Sequence, residues 1–249
     1  SPDAQVVRQL IVRAAPRDDS VLVLGDTGTG KDVVARLIHE QSERPGRFEV
    51  VNCGAIPKEL FEAELFGFEK GAHSTATFAK QGLWRLAHLG TLFLDEVGDL
   101  SLDHQVKVLR ALEDGRIRPV GGLDAVQVDV RIVAATNRAL GSMVQTGAFR
   151  PDLFHRLRAF MIRTPSLRDH PEDLALFIEH FWRKAAPKAE PLPPDAFAAL
   201  AAYRWPGNAR ELKMVLSTLN TLFDGQKLSA AHVRAVFQFE GQLDLEPPS

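Results

Sequence analysis

"VLVLGDTGTGKDVVARLI", residues 21–38, decides the fold. A short apolar run passes through a glycine-rich turn into residues with helical spacing, so a strand leads through a loop into a helix. Gly25, Gly28, Gly30 and Lys31 stand in the strand, GxxxxGK, helix context of a phosphate-binding loop. The spacing has a physical reason. Glycines let backbone N–H groups converge on phosphate oxygens at the positive end of a helix, and Lys31 reaches the terminal phosphates. The candidate phosphate-binding set is Gly25, Asp26, Thr27, Gly28, Thr29, Gly30, Lys31, Asp32 and Val33. Ser or Thr, which would ligate Mg²⁺, ordinarily follows the lysine; here Asp32 does, so Mg²⁺ must be held by another oxygen or through water.

Outward from this stretch, apolar and β-branched runs recur at 21–26, 48–53, 91–97, 130–137 and 159–165, with amphipathic segments between them. Continuous apolar strands alternating with helices predict an α/β fold around a mainly parallel five-stranded sheet. After Pro165 only helical spacing remains, broken by Pro, Gly and Ser. Residues 1–165 therefore read as an α/β nucleotide-binding subdomain, 166–240 as a small α-helical lid and 241–249 as a tail; "KAAPKAEPLPP" (184–194) is a linker between helices.

The third run, "TLFLDEVGD", ends on Asp95 and Glu96. In a nucleotide hydrolase one such carboxylate holds Mg²⁺ and the next orients the attacking water; taken alone, the pair is also an ordinary polar strand edge. The phosphate loop upstream favours the hydrolytic reading. Thr136 and Asn137 close the fourth run at the same expected sheet edge, where ligands gather in open α/β folds; the alternative there is a helix cap.

Composition sets outer bounds. The chain has 249 residues, 45% of them apolar and 25% charged, and a formal net charge of −2, so there is no general attraction to nucleic acid. A single cysteine, Cys53, excludes an intrachain disulfide and fits a cytoplasmic setting; it reads as a packing residue. No apolar run approaches the roughly 20 residues of a membrane span. The eight histidines form no zinc pattern, and Trp84, Trp182 and Trp205 stand at core positions. The N-terminus begins within an amphipathic segment and the C-terminus reads as linker, so a domain cut from a longer protein is expected, with any DNA-reading module outside this chain.

These motifs together resemble the AAA+ ATPase domain of bacterial enhancer-binding proteins, the activators of sigma-54 RNA polymerase. "GDTGTGKDVVARLIH" is similar to that family's phosphate loop, which also carries an acid after the lysine. "VNCGAIP", "ELFGFEKGA", "GTLFLDEVGDL", "QVKVLRALEDGRIRPVGG", "VDVRIVAATN", "FRPDLFHRL", "PSLRDHPEDL" and "WPGNARELK" follow in the family's order. The resemblance implies that Gly28, Gly30, Lys31 and Asp32 belong to Walker A, and Asp95, the Mg²⁺ ligand, with Glu96 to Walker B. It implies that Asn52 holds Glu96 inactive until the γ-phosphate is sensed, that Asn137 lies in sensor I and that Arg210 is sensor II. Arg150 and Arg156 would be arginine fingers reaching a neighbouring subunit's ATP, which implies a ring, a hexamer in this family. They are expected on one helix, about 120° apart around its axis; the bland alternative pairs Arg156 with Asp152 at i, i+4.

In that family the segment after the glutamate and lysine is a GAFTGA loop whose Phe and Thr touch sigma-54. Here its six positions are Gly71, Ala72, His73, Ser74, Thr75 and Ala76. His73 replaces the aromatic, Ser74 keeps only the hydroxyl, and Thr75 is costly if that position needs a positive φ. Three readings of residues 67–80 stand: altered contact with sigma-54, a different partner, or an inert loop on a module that binds nucleotide only to assemble.

Overall fold

The computed structural model describes residues 1–72, 77–187 and 190–239. The chain runs α1 (Pro2–Ala14), β1 (Val21–Leu24), α2 (Lys31–Glu40), β2 (Phe48–Asn52), α3 (Lys58–Phe66), β3 (Gly67–Phe68), β4 (Lys80–Gln81), α4 (Leu83–Leu86) and β5 (Thr91–Asp95). It continues through α5 (Leu102–Asp114), β6 (Arg116–Ile117), β7 (Val126–Gln127), β8 (Arg131–Thr136), α6 (Leu140–Gln145), α7 (Pro151–Leu157) and β9 (Phe160–Arg163). Four helices follow: α8 (Pro171–Ala185), α9 (Pro194–Ala201), α10 (Asn208–Leu222) and α11 (Ala230–Phe239). Two units separate, one of residues 5–25 and 31–164, the other of residues 1–4, 26–30 and 165 onward.

The first unit is built on a five-stranded sheet in the order β2-β5-β8-β1-β9, every neighbouring pair parallel. Both faces are covered, so its central strands are apolar throughout, and alternate residues supply two separate cores. Leu22, Leu92, Leu94, Ile132 and Ala134 pack on one side with Phe61, Trp84 and Leu153. Val21, Val23, Phe93, Val133 and Ala135 pack on the other with Ile11, Val34 and Ile38.

Arg131 interrupts this pattern at the start of β8, where it is buried. Its guanidinium donates to the carbonyl oxygens of Ala15 and Ala14 at 2.6 and 2.7 Å, at the end of α1, where Ala14 O also accepts the Arg17 N–H at 3.0 Å. Burial depresses the guanidinium pKa, and Nε is the one buried side-chain polar atom among the described residues with no partner. Arg131→Ala is expected to cost about 2–4 kcal/mol, from a cavity plus the loss of both guanidinium bonds, Ala14 O keeping the Arg17 N–H as its other donor. Urea unfolding checks this: the midpoint falls at unchanged slope, whereas an unmoved midpoint would mean that water satisfies the end of α1 equally well.

Two small antiparallel hairpins, β3–β4 and β6–β7, lie outside the main sheet. They are tied together: Val120 N–H donates to Gly67 O at 2.8 Å and Glu69 N–H to Val120 O at 3.0 Å. Gly121, at φ +75°, leaves space that a Cβ would lose, since it would stand 2.8 Å from Ala72 Cβ. Residues 67–72 are thus braced by the 116–127 segment, and the 77–80 end joins them through the β3–β4 pairing.

The helical unit packs α8 to α11 around Leu174, Ile178, Leu212, Leu216, Val233 and Phe237. Trp182 and Trp205 are buried there, and each indole N–H has a carbonyl partner, Glu190 O at 2.9 Å and Leu200 O at 3.0 Å.

Candidate functional site

At the carboxyl edge of the parallel sheet, β1 adjoins β8 and β8 adjoins β5, so the turns leaving these strands emerge side by side. Gly25 N–H donates to Thr136 O at 3.3 Å, which ties the start of the phosphate loop to the end of β8. Lys31 opens α2 and is buried; its ammonium donates to Gly25 O at 3.0 Å and stands 3.7 Å from a Glu96 carboxylate oxygen. The other Glu96 oxygen accepts the Asn137 N–H at 3.3 Å. Lys31, Glu96 and Asn137 are thereby brought together, with Asp95 adjoining.

Glu96 occupies the left-handed region, φ 51° and ψ 48°, which a residue with a long side chain seldom adopts. Its own N–H donates to Asp95 Oδ1 at 3.0 Å. Burial pushes the Asp95 pKa above the ordinary carboxylate range, the neighbouring Glu96 charge pushes the same way, and the Glu96 N–H opposes both. A strained backbone and two crowded carboxylates are features that functional sites retain at a cost to stability.

Asn52 lies opposite Asp95 in the β2–β5 register. Its amide oxygen accepts from Gly54 N–H at 3.0 Å and Ala55 N–H at 3.1 Å, so its bonds go to its own loop while those of Glu96 go to Lys31 and Asn137. Cys53 is buried beside these carboxylates; desolvation, then Asp95, push its thiol up to about 12, which leaves it protonated and inert.

The arginines need correction. α7 begins at Pro151, whose fixed φ suits the first helical position, and Arg150 precedes it with extended backbone, so the two do not share one helix. Asp152 pairs with Arg150, at 3.0 and 2.6 Å, and not with Arg156 at i, i+4. That fork draws the Asp152 pKa below its usual value and raises that of Arg150. Arg156 donates instead to Leu112 O at 3.3 Å.

Residues 26–30 group with the helical unit. Gly28 and Gly30 have φ of +77° and +85°, the backbone that glycine adopts freely. A Cβ on Gly28 would fall 2.1 Å from Gly207 O and 3.0 Å from Arg210 Cβ, so the loop lies directly against the start of α10 and the candidate Arg210 stands beside it. Arg168 reaches Asp26 at 3.2 Å. Asn208, which the motif reading did not single out, donates from Nδ2 to Thr27 O at 2.9 Å. The signal was available: asparagine directly after glycine at a helix start suits a left-handed turn, and Asn208 has φ +52°. Gly28→Ala, combining backbone strain with the carbonyl clash, is expected to weaken ADP binding at least about tenfold. Calorimetric titration checks it, and wild-type affinity would mean that the loop does not form the phosphate cradle.

The family described as the Sigma-54 interaction domain matches residues 1–163, and the AAA+ ATPase lid domain matches residues 168–246. The chain belongs to the sigma-54 interaction domain family. Relatives of this sigma-54 interaction domain include the DNA-binding transcriptional regulator NtrC of Escherichia coli K12, 44% identical over 233 residues that make up 92% of this chain and 50% of that protein. The response regulator PilR of Pseudomonas aeruginosa is 44% identical over 240 residues, 94% of this chain and 54% of PilR. The chain thus spans about half the length of the curated relatives it matches. The ADP complex of NtrX from Brucella abortus superposes with TM-score 0.87 at 37% identity, covering 100% of this chain and 56% of NtrX. The ATP complex of the same protein gives 0.86 at 38% identity, covering 97% and 57%. The sequence expectation of a parallel α/β core followed by a helical lid accordingly describes this sigma-54 interaction domain.

Its residues fit a magnesium nucleotide. Among the described residues no group of three or more His, Cys, Asp or Glu forms a ready cation cage. Mg²⁺ in such sites takes one or two carboxylates, the rest of its shell coming from phosphate oxygens and water, and a carboxylate such as Asp95 at this strand end is of the type required. The buried Lys31 ammonium supplies the charge that suits phosphate. Among the described residues no helix is long and apolar enough to cross a membrane. Of the six loop positions, Gly71 and Ala72 are described, and His73, Ser74, Thr75 and Ala76 lie outside the described residues.

Proposed function

We propose that this domain hydrolyses ATP at the interfaces of a hexameric ring and converts each cycle into movement of the 67–80 segment against sigma-54 RNA polymerase. The observation that carries the reading is the meeting of Lys31, Glu96 and the Asn137 N–H beside Asp95 at the end of the phosphate loop. Its relatives NtrC and PilR are a DNA-binding transcriptional regulator and a response regulator, and NtrX is found with ADP and with ATP.

In this reading Gly25, Asp26, Thr27, Gly28, Thr29, Gly30, Asp32 and Val33 surround the phosphates and Lys31 neutralises the terminal ones. Asp95 would hold Mg²⁺, which would supply charge neutralisation to the phosphates. Glu96 accepts a proton from water as the new O–P bond forms and the bond to the ADP oxygen breaks. Asn137 senses the γ-phosphate, and the Glu96 oxygen that accepts its N–H links that sensing to the base. Asn52, its amide oxygen tethered to Gly54 and Ala55, has its two N–H donors to offer Glu96 in the inactive pose. Arg150 and Arg156 act on the neighbour's ATP, and Arg210 on its own. The setting is cytoplasmic, and DNA contact belongs to another part of the full regulator.

ATPase rate per protomer against protein concentration tests the shared site. A co-operative rise is expected; tight nucleotide binding without turnover at any concentration would instead describe a scaffold whose assembly ADP or ATP fixes. A second reading concerns the partner. His73 in the aromatic position removes the apolar anchor that such a small contact needs, which favours a partner other than sigma-54. Native-gel capture of sigma-54 with ADP and a metal-fluoride mimic of the transferring phosphate separates the two. A complex supports the sigma-54 reading, and its absence in a hydrolysing sample supports the redirected loop.

A further inference from the structure

Asn208 is buried, left-handed in backbone and fully engaged through its carboxamide. The oxygen accepts the Leu167 N–H at 2.8 Å and the Ser166 hydroxyl at 3.1 Å. The nitrogen donates to Thr27 O at 2.9 Å and, at 3.4 Å, to Pro206 O. This set admits one orientation of the amide. Exchanging its oxygen and nitrogen would set an acceptor against Thr27 O and a donor against the Leu167 N–H, losing both bonds at once.

Thr27 O and the Gly28 N–H belong to one trans peptide plane and point in opposite directions. Holding the carbonyl on Asn208 therefore turns the Gly28 N–H away from α10. The close seat of Gly28 on Gly207 O admits no side chain that would lift this peptide off its support. We infer that Asn208 is a positioning residue for nucleoside di- and triphosphates, fixing the Thr27–Gly28 peptide so that the Gly28 N–H is presented to a phosphate oxygen. The inference rests on the phosphate-loop reading of the proposed function. It adds a cause for the loop's preorganisation that lies some 180 residues away in sequence.

The test compares ADP with adenosine, because only ADP carries phosphate. Asn208→Gly keeps the left-handed backbone and removes the side chain without adding charge. Asn208→Asp keeps the acceptor for Leu167 and Ser166 but replaces the donor to Thr27 by a second acceptor. Binding is measured by calorimetry on the whole chain, each variant first shown to unfold co-operatively, and the Asp variant is titrated at low and high salt. Both variants are expected to lose about tenfold or more in ADP affinity, as for one misaimed charge-assisted hydrogen bond, with adenosine affinity within about twofold of wild type. The loss in the Asp variant should persist at high salt, since misorientation, unlike simple charge repulsion, is not screened. Equal losses for ADP and adenosine, or none for either, would overturn the positioning role and leave Asn208 as a staple of the helical unit. Failure of the wild type itself to bind ADP more tightly than adenosine would instead remove the phosphate-loop reading on which the inference stands.

Discussion

Glu96→Gln is expected to bind ATP as tightly as the wild type and to hydrolyse it at least about 100-fold more slowly, the usual loss when a general base is removed. Glutamine matches the shape of glutamate and keeps an oxygen for the Asn137 N–H, so the contact that now stands at 3.3 Å can survive. It loses the basicity that would take the proton from water. Binding should not suffer, because the substitution also removes one of two crowded negative charges from the site that receives a polyanion, and so relieves the upward pressure on Asp95. The left-handed backbone at φ 51° is no better or worse for glutamine than for glutamate, so folding should change little. A filter-binding assay beside a phosphate-release assay separates binding from turnover. Wild-type turnover by this variant would take Glu96 out of the chemistry and leave the carboxylate pair as a polar strand edge.

The parallel core was legible because burial on both faces forces strands to be apolar throughout, and "VLVL", "TLFLD" and "RIVAAT" are such segments. Their order in the sheet was not, since nothing local in β1 specifies that β8 and β9 will be its neighbours. The two hairpins were missed for a simpler reason: strands of two residues, such as Gly67–Phe68 and Arg116–Ile117, are too short to display a period. Glycine spacing and lysine marked residues 25–31 as the candidate phosphate loop, whereas its bond to Asn208 depends on tertiary approach and could be read only as the bare suitability of asparagine for a left-handed turn. Arg150 was placed on a helix it precedes, although Pro151 marks the first helical position in the sequence itself. Pairing Asp152 with Arg156 followed the i, i+4 rule for helix interiors, which gives way at a helix start to the shorter reach from Arg150.

Mixing two inactive variants, Glu96→Gln and Arg156→Ala, should restore ATPase activity that neither has alone. Removal of an arginine that stabilises transition-state phosphate costs on the order of 10³-fold or more in turnover, so Arg156→Ala by itself is expected to be nearly silent while still binding ATP. In a ring of head-to-tail interfaces, each site takes its base from one subunit and its arginine from the next. A site on an Arg156→Ala subunit keeps Glu96 and borrows a guanidinium from a neighbouring Glu96→Gln subunit. With equal amounts, random assembly and independent sites, roughly a quarter of the interfaces combine both intact groups, so about a quarter of wild-type activity should return. Arg150→Ala, mixed in the same way, asks whether the second arginine also crosses the interface. In the single chain Arg150 is held in a fork by Asp152 and Arg156 by one long bond to Leu112 O, both at exposed positions where such contacts are weak. Either side chain can therefore exchange its present partner for a phosphate at little cost. A mixture as inactive as its components would show that these arginines serve their own subunit, and the argument for a ring from this site would fall with them.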